Sequence, residues 1–159
     1  MNSDAAMDSD TEDTPTTRDD IVSWLRDRNI DEVECLVPDM TGMMRGKIIP
    51  REDFIRNMDS GLRLPETILL QAVTGDPAEE GGIQAETDQD IRTIPDAGTI
   101  RIVPWYEEPV AQVICDTTFN DGKPVDFAPR SVLKRVRGLY ADRGLKPIVA
   151  PELEYYLIE

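Results

Sequence analysis

The spacing of hydrophobic and polar residues changes along the chain and predicts a succession of short helices and strands. Residues 16–29 begin with a hydroxyl cap and two aspartates and continue with apolar residues at helical spacing, which predicts an amphipathic helix that ends near Asn29. Residues 33–37 place apolar side chains at alternate positions and lead through a glycine-containing turn into residues 47–49, which predicts a β-hairpin. A second short helix is predicted at residues 51–58 and an apolar strand at residues 67–73.

The second half of the chain predicts further strands and one longer helix. Apolar stretches at residues 99–103 and 110–116 predict two strands, and Asn120-Asp-Gly predicts a tight turn. The best-defined helix begins at Pro129 and stops at Gly144. Its apolar face consists of Val132, Leu133, Val136, Leu139 and Tyr140. Together these elements predict an α+β fold with mostly antiparallel strand pairing.

Two acidic segments have no usable hydrophobic period. Residues 1–16 carry Asp4, Asp8, Asp10, Glu12 and Asp13 with almost nothing apolar, which predicts a disordered acidic tail. Residues 75–89 combine glycines, a proline and acidic residues, and they predict a long exposed loop. Long loops within compact domains are often functional, so this loop is a candidate for part of a site.

The charge balance and the absence of histidine narrow the possible chemistry. The chain has 32 Asp and Glu against 17 Lys and Arg, a net charge of −15, which disfavours nucleic acids and anionic membranes as partners because their phosphates would be repelled. Without histidine, Ser/His or Cys/His catalysis and His-based metal sites are excluded within these residues. The acidic start lacks the features of a secretory signal, and no apolar run approaches about 20 residues, so a cytoplasmic protein is expected.

The two cysteines predict buried thiols. Cys35 and Cys115 each lie in a predicted strand among apolar residues, and neither has a second cysteine at metal-ligand spacing. A disulfide or a zinc site is the less favoured interpretation.

A pair of glutamates marks the last predicted strand, at residues 147–158. Side chains alternate between the two faces of a strand, so Glu152 and Glu154 would share one face, about 7 Å apart at their Cα atoms. Oxygen ligands at this spacing suit two neighbouring hard cations such as Mg²⁺ or Mn²⁺, which commonly bind phosphates. A solvated strand face is the alternative interpretation. A complete helix followed by one apolar strand predicts that a larger domain opens here and that the chain is truncated.

Several motifs resemble the glutamine synthetase superfamily over residues 20–159. The segment Val149-Ala-Pro-Glu-Leu-Glu-Tyr-Tyr-Leu-Ile is similar to the family stretch in which both glutamates bind the two metal ions. Asp121-Gly-Lys-Pro-Val-Asp-Phe-Ala-Pro-Arg resembles the entry into the catalytic domain, while Asp39-Met-Thr-Gly-Met-Met-Arg-Gly-Lys and Pro95-Asp96 resemble the small amino-terminal β-grasp domain. The resemblance implies a β-grasp domain at residues 17–120 and the start of a catalytic domain at residues 121–159.

The resemblance also implies an activity, which is closest to that of the γ-glutamylpolyamine synthetases. In these ligases ATP phosphorylates the γ-carboxylate of glutamate, and an amine such as putrescine then displaces phosphate. Glu152 and Glu154 would bind the metal ions, Mg²⁺ or Mn²⁺, and Asp76 matches the family aspartate that binds the amine and favours its deprotonation. The implied assembly is a homo-oligomeric ring in which the loop reaches the neighbouring subunit's active site.

Other interpretations stay open at this point. An ammonia-using glutamine synthetase is the close alternative, and a non-catalytic β-grasp interaction or regulatory module is the alternative of another class. Asp76-Pro-Ala-Glu keeps only the aspartate of the family's Asp-Gly-Ser-Ser sequence, as would suit a different amine. A turn residue is the alternative interpretation of Asp76, because Gly-Asp-Pro is common in loops. Glu79 and Glu80 are expected to be solvated loop charges, and Arg45 and Lys47 to decorate the hairpin. The 159 residues alone are expected to lack ligase activity, since the rest of the family's site is not among them.

Overall fold

The computed structural model describes residues 14–76 and 89–158. Most of the predicted acidic tail and most of the predicted loop, including Glu79 and Glu80, lie outside the described residues. Three α-helices are present in the described ranges: α1 Arg18–Asp27, α2 Arg51–Asn57 and α3 Pro129–Ala141. The strands are β1 Glu32–Pro38, β2 Met44–Pro50, β3 Leu62–Pro65, β4 Asp90–Pro95, β5 Arg101–Ile102 and β6 Val110–Thr118. Short 3-10 helices span Glu66–Leu70 and Ala97–Thr99.

The strands form one sheet, and together with the helices they confirm the predicted α+β class. Its order is β2-β1-β6-β4-β3, and β5 also pairs with β6. All pairings are antiparallel except that of β1 with β6, which is parallel. The parallel pair lies at the centre of the sheet, where both strands are largely buried. Such burial suits parallel strands, which need cover on both faces.

Local sequence signals account for the first helix and the hairpin. Helix α1 begins with a capping box, in which Thr17 Oγ1 accepts from the Asp20 backbone N–H and the Asp20 carboxylate accepts from the Thr17 N–H. Ile21 and Leu25 of the same helix are buried in the core. Both the predicted helix and the predicted β1–β2 hairpin are therefore confirmed.

The predicted strand at residues 67–73 is wrong. Its first residues belong instead to the 3-10 helix Glu66–Leu70, and the strand of this region is β3, which pairs with β4 just before that helix. A short apolar run fits a buried strand or a buried turn of helix equally well. Leu69 of the 3-10 helix is fully buried in the core. The sequence prediction also missed β4. Its strand at residues 99–103 is longer than β5, which has only two residues.

The predicted strand at residues 147–158 is also wrong for this structure. These residues have no regular secondary structure, and their large apolar side chains are exposed, with Leu153 at 90% and Leu157 at 93%. A strand needs hydrogen-bonding neighbours, and the described residues offer none to this segment. Exposed apolar side chains of this number indicate a surface that packs against further protein.

Charged side chains hold helix α3 on the sheet. Arg130 donates from Nε to Asp116 Oδ1 at 3.0 Å and from Nη2 to Asp96 Oδ2 at 2.5 Å, and Lys134 also pairs with Asp116. The predicted apolar face is largely exposed, with Leu133 at 55% and Leu139 at 52%. The helix is therefore attached by ion pairs, and its apolar side is left open.

These ion pairs make the stability of the chain depend on pH. Burial alone would raise the pKa of Asp116, but hydrogen bonds and charge interactions with Lys134 and Arg130 outweigh it and hold the pKa below its usual value of 3.8. A carboxylate with a lowered folded-state pKa stabilises the fold above the unfolded-state pKa. That stabilisation is lost as the pH falls through the folded-state value.

Asp116→Asn is expected to lower the free energy of unfolding by about 1–2 kcal/mol at pH 7, because hydrogen bonds to a charged group are lost. At pH 3, below the usual Asp pKa of 3.8, the difference from the wild type should shrink, because the unfolded wild-type carboxylate then takes up a proton and its charge stabilises the folded state less. Urea unfolding at both pH values measures this. Asp121→Asn makes the same charge change at an exposed ion pair with Lys123 and should alter stability much less than Asp116→Asn does. An equal loss for Asp116→Asn at both pH values would contradict the interpretation.

The core lies between the sheet and helices α1 and α2. Phe54, Leu25, Ile30, Leu69 and Ile91 are the largest side chains with almost no exposure. The core also contains Cys35 and Cys115, which are free thiols, as predicted. A hydrogen bond with Cys35 and burial raise the pKa of the Cys115 thiol far above its ordinary value, so it is unreactive. The longest helix in the described ranges has 13 residues, and none is long and apolar enough to cross a membrane.

Candidate functional site

The predicted catalytic aspartate lies in an exposed turn after the 3-10 helix Glu66–Leu70. The backbone N–H of Ala72 donates to the Asp76 carbonyl oxygen at 2.8 Å, and the N–H of Gly75 donates to the Ala72 carbonyl oxygen at 2.9 Å. The Thr74 hydroxyl donates to Asp76 Oδ2 at 2.7 Å. We call residues 72–76 the Asp76 turn. Its carboxylate is exposed and has one oxygen hydrogen-bonded within the turn, so the group is available to a cationic ligand.

A buried carboxylate organises the neighbouring β1–β2 hairpin. The Asp39 side chain has no exposed surface, and Asp39 Oδ1 accepts from the Thr41 N–H, the Thr41 hydroxyl and the Met43 N–H at 2.7–2.9 Å. Burial alone would raise the pKa of Asp39, but the hydrogen bonds from Thr41, Arg45 and Met43 outweigh it and keep the pKa below 3.8. Asp39 is therefore ionised at neutral pH.

Arg45 joins the hairpin to the Asp76 turn. Its Nε donates to Asp39 Oδ2 at 2.8 Å, and its Nη2 donates to the Ala72 carbonyl oxygen at 2.7 Å. The Arg45 side chain is only 18% exposed. A second contact links the same regions, because the Met40 N–H donates to the Leu69 carbonyl oxygen at 3.0 Å. The hairpin thus supports the turn that carries Asp76.

Arg45 and Lys47 were expected to decorate the hairpin rather than touch substrate, and both lie on β2. Arg45 is mostly buried, while Lys47 is exposed and donates to the Arg63 carbonyl oxygen at 3.1 Å. Sequence reasoning missed the role of Arg45 because its partner Ala72 is 27 positions away along the chain. The partners of Asp39, which are Thr41, Met43 and Arg45, lie within six residues of it. The glycine between Arg45 and Lys47 was the available signal. A Cβ at Gly46 would lie 1.9 Å from the Cys35 carbonyl oxygen, so the two strands approach too closely for a side chain.

The two predicted metal ligands lie elsewhere. Glu152 and Glu154 belong to the exposed segment without secondary structure, and neither has a hydrogen bond or ion pair within the described part of the chain. The structure does not bring them into contact with Asp76. Their role as metal ligands therefore stays a prediction.

The donor chemistry of this pair fits a hard divalent cation in part. Carboxylate oxygens are among the ligands that Mg²⁺ and Mn²⁺ prefer. Two side chains cannot complete an octahedral shell of about six oxygens. In residues 14–76 and 89–158 no cluster of three or more Asp, Glu, Cys or His side chains offers a fuller set. Further oxygens would have to come from substrate, water or other protein segments.

Comparison with known proteins identifies relatives that are glutamate–amine ligases. No family model matches the chain. It is 33% identical over 132 residues to gamma-glutamylputrescine synthetase PuuA of Escherichia coli (strain K12), a match that covers 82% of this chain and 28% of that protein. It is 30% identical over 138 residues to the glutamate–isopropylamine ligase of a Pseudomonas species, covering 85% of this chain and 30% of that protein.

A solved structure supports the fold. The structure described as apo GmaS without ligand aligns with a TM-score of 0.64 at 24% sequence identity, over 77% of this chain and 26% of that one. At this identity the likeness establishes the fold alone. The chain spans about 28–30% of the length of the curated relatives described above.

Proposed function

Since this chain is homologous to members of the glutamine synthetase superfamily, as its motifs predicted, we propose that it is part of an ATP-dependent ligase that joins the γ-carboxylate of glutamate to an amine. The observation that carries the proposal is the identity shared with two glutamate–amine ligases over more than four-fifths of the chain. The family's Glu-x-Glu motif is retained at Glu152 and Glu154.

The proposed reaction proceeds in two balanced steps. The γ-carboxylate oxygen of glutamate attacks the terminal phosphorus of ATP, and ADP leaves. The amine nitrogen then forms a bond to the carbonyl carbon of the γ-carboxyl group while the bond from that carbon to the phosphate-bearing oxygen breaks, releasing phosphate and a proton. Divalent cations held by Glu152 and Glu154 would supply charge neutralisation for the phosphates.

Asp76 is proposed to receive the amine. Most amines are protonated at neutral pH, and the exposed carboxylate offers an anionic partner to the ammonium group. Binding near the anion brings the amine to the site, and the carboxylate then accepts the proton that must leave before the nitrogen can attack. The Thr74 hydroxyl donates to one Asp76 oxygen and fixes the orientation of the carboxylate.

The proposed domain arrangement explains the exposed apolar surface. Residues 17–120 would form the β-grasp domain, and residues 121–159 would begin the catalytic domain. The open face of α3 and the segment after it would then pack against the rest of that domain. ATP, glutamate and the amine would bind between subunits of a homo-oligomeric ring, with the Asp76 turn of one subunit facing the next.

The substrate is proposed to be a primary amine larger than ammonia, because the two relatives described above are named for putrescine and for isopropylamine. In the whole ligase that carries this sequence, kcat/KM for putrescine is expected to exceed that for ammonia by at least about 100-fold, equivalent to about 2.7 kcal/mol of differential transition-state binding. Phosphate release with glutamate, ATP and Mg²⁺ measures it for putrescine, spermidine, isopropylamine and ammonia.

The assay separates the competing interpretations. Turnover with ammonia alone would reject the amine proposal and leave a glutamine synthetase. Amine-independent phosphate release would contradict the ligase proposal. The absence of phosphate release with every nitrogen donor would also contradict it and would favour a non-catalytic module. Omitting glutamate serves as the blank in each case.

A further inference from the structure

We propose that Arg45 is a positioning residue for the amine site, which links the buried Asp39 carboxylate of the β1–β2 hairpin to the Asp76 turn and holds that turn in place. This inference rests on the proposed function, because it assigns the role through Asp76. It adds a residue that touches no substrate and that acts only through the backbone of the turn.

A continuous set of short hydrogen bonds connects the buried carboxylate to the turn. Asp39 is fixed by three donors of its own hairpin, Arg45 Nε binds its other oxygen, and Arg45 Nη2 binds the Ala72 carbonyl oxygen at 2.7 Å. The Ala72 N–H in turn donates to the Asp76 carbonyl oxygen at 2.8 Å. One peptide residue therefore separates the guanidinium from the backbone of Asp76.

The second bond of Arg45 is not needed for folding of the hairpin. Asp39 is already paired through Nε, and Ala72 is exposed, so water could satisfy its carbonyl group as well. A planar guanidinium holds two acceptors in a set geometry, which water does not. The bond from Arg45 Nη2 to the Ala72 carbonyl oxygen therefore fixes the position of the Asp76 turn relative to the hairpin. Gly75 lies beside the same guanidinium, since a Cβ added there would be 3.8 Å from Arg45 Nη1.

Arg45→Gln separates the two bonds. The glutamine amide nitrogen stands where arginine has Nε, so it can still donate to Asp39, while the group that reaches Ala72 is removed. In the whole ligase we expect the KM for the amine to rise about tenfold, because a small displacement of a binding group has an effect of this order. The KM values for ATP and glutamate should stay within about twofold of the wild type.

Arg51→Gln is the matched control. Arg51 is 24% exposed, its Nε donates to Glu52 at 3.1 Å, and its Nη1 donates to the Ile30 carbonyl oxygen at 2.9 Å, so the substitution makes the same truncation away from the turn. Arg51→Gln is expected to lower the thermal midpoint about as much as Arg45→Gln does, and to leave the KM values for ATP, glutamate and the amine unchanged. If Arg45→Gln raised all three KM values together, or if Arg51→Gln raised the amine KM equally, Arg45 would be a general structural residue and the proposal would be overturned.

A double-mutant cycle tests the route through Asp76. Asp76→Asn alone should raise the amine KM by at least about tenfold, since a charge-assisted contact is lost. If Arg45 acts through Asp76, adding Arg45→Gln to Asp76→Asn should change the amine KM by less than about twofold. Full additivity would overturn the proposal while leaving the ligase assignment intact.

A measurement without turnover distinguishes the failure of this inference from that of the proposed function. Hydrogen exchange of the amides of Ala72 and Gly75 should be faster by at least about fivefold in Arg45→Gln than in the wild-type chain, because their hydrogen bonds open more often. Exchange of the Arg51→Gln variant at these amides should be unchanged. If Arg45→Gln does not fold, Arg45→Lys, which keeps the charge beside Asp39, replaces it. Unchanged exchange in the folded variant overturns the inference whether or not the protein is a ligase.

Discussion

Replacement of Glu154 by alanine in the whole ligase is expected to reduce kcat by about 10³-fold, because a cation that neutralises phosphate charge contributes on the order of 4 kcal/mol to the transition state. The thermal midpoint should change little, since Glu154 is exposed and has no hydrogen bond or ion pair among the described residues. Steady-state phosphate release at several Mg²⁺ concentrations measures the effect. A partial recovery at high Mg²⁺ is expected if the lost ligand weakens the binding of the ion.

The control for this prediction is Glu108→Ala. Glu108 is an exposed glutamate in the connection between β5 and β6, and its removal changes the net charge equally. Its turnover should match that of the wild type within about twofold. If Glu154→Ala also turned over at the wild-type rate, Glu154 would be a solvated surface residue. Glu152 would then be the only proposed metal ligand left, and the Glu-x-Glu pair would no longer support it.

Asp39→Ala is expected to lower the free energy of unfolding of the chain by about 3–5 kcal/mol, because it leaves the mostly buried Arg45 guanidinium without its carboxylate. It also removes the acceptor for Thr41 and Met43. The free energy of unfolding of a domain is only about 5–15 kcal/mol, so this loss is a large fraction of the total stability. Urea unfolding at pH 7 measures it. Asp39→Asn keeps an acceptor oxygen and should lose less, about 2 kcal/mol, which provides a second test if the alanine variant does not fold.

Asp53→Ala is the comparison for Asp39→Ala. Asp53 forms an ion pair with Arg56 one turn along α2, and both side chains are largely exposed, at 47% and 71%. Such a pair contributes about 0–1 kcal/mol. Equal losses for Asp39→Ala and Asp53→Ala would show that the buried carboxylate does not organise the hairpin.

Local signals predicted those elements whose cause lies in neighbouring residues. Thr17 and Asp20 cap α1 through bonds that span three residues, and Pro129 opens α3 at the first helical position. The alternation in residues 33–37 predicted which residues of β1 share a face, and Val33, Cys35 and Val37 are all buried. In each case the sequence contains both partners of the interaction within a few positions.

Long-range pairing decided the elements that sequence reasoning missed. β4 forms because β3 and β6 lie on its two sides, and its own pattern does not identify it. The segment 147–158 has the pattern of a strand and forms none where the described residues provide no neighbour. A strand forms only beside a neighbouring strand, and the pattern of one segment does not show whether such a neighbour exists.

The candidate site divides in the same way. The sequence by itself determined which residue types are present: it has no histidine, and it predicts metal ligands at Glu152 and Glu154 and an amine-binding residue at Asp76. Only the tertiary structure showed that Arg45 joins Asp39 to Ala72 and so supports the turn of Asp76. Residue types are read directly from the chain, whereas a contact between residues 27 positions apart depends on how the chain folds.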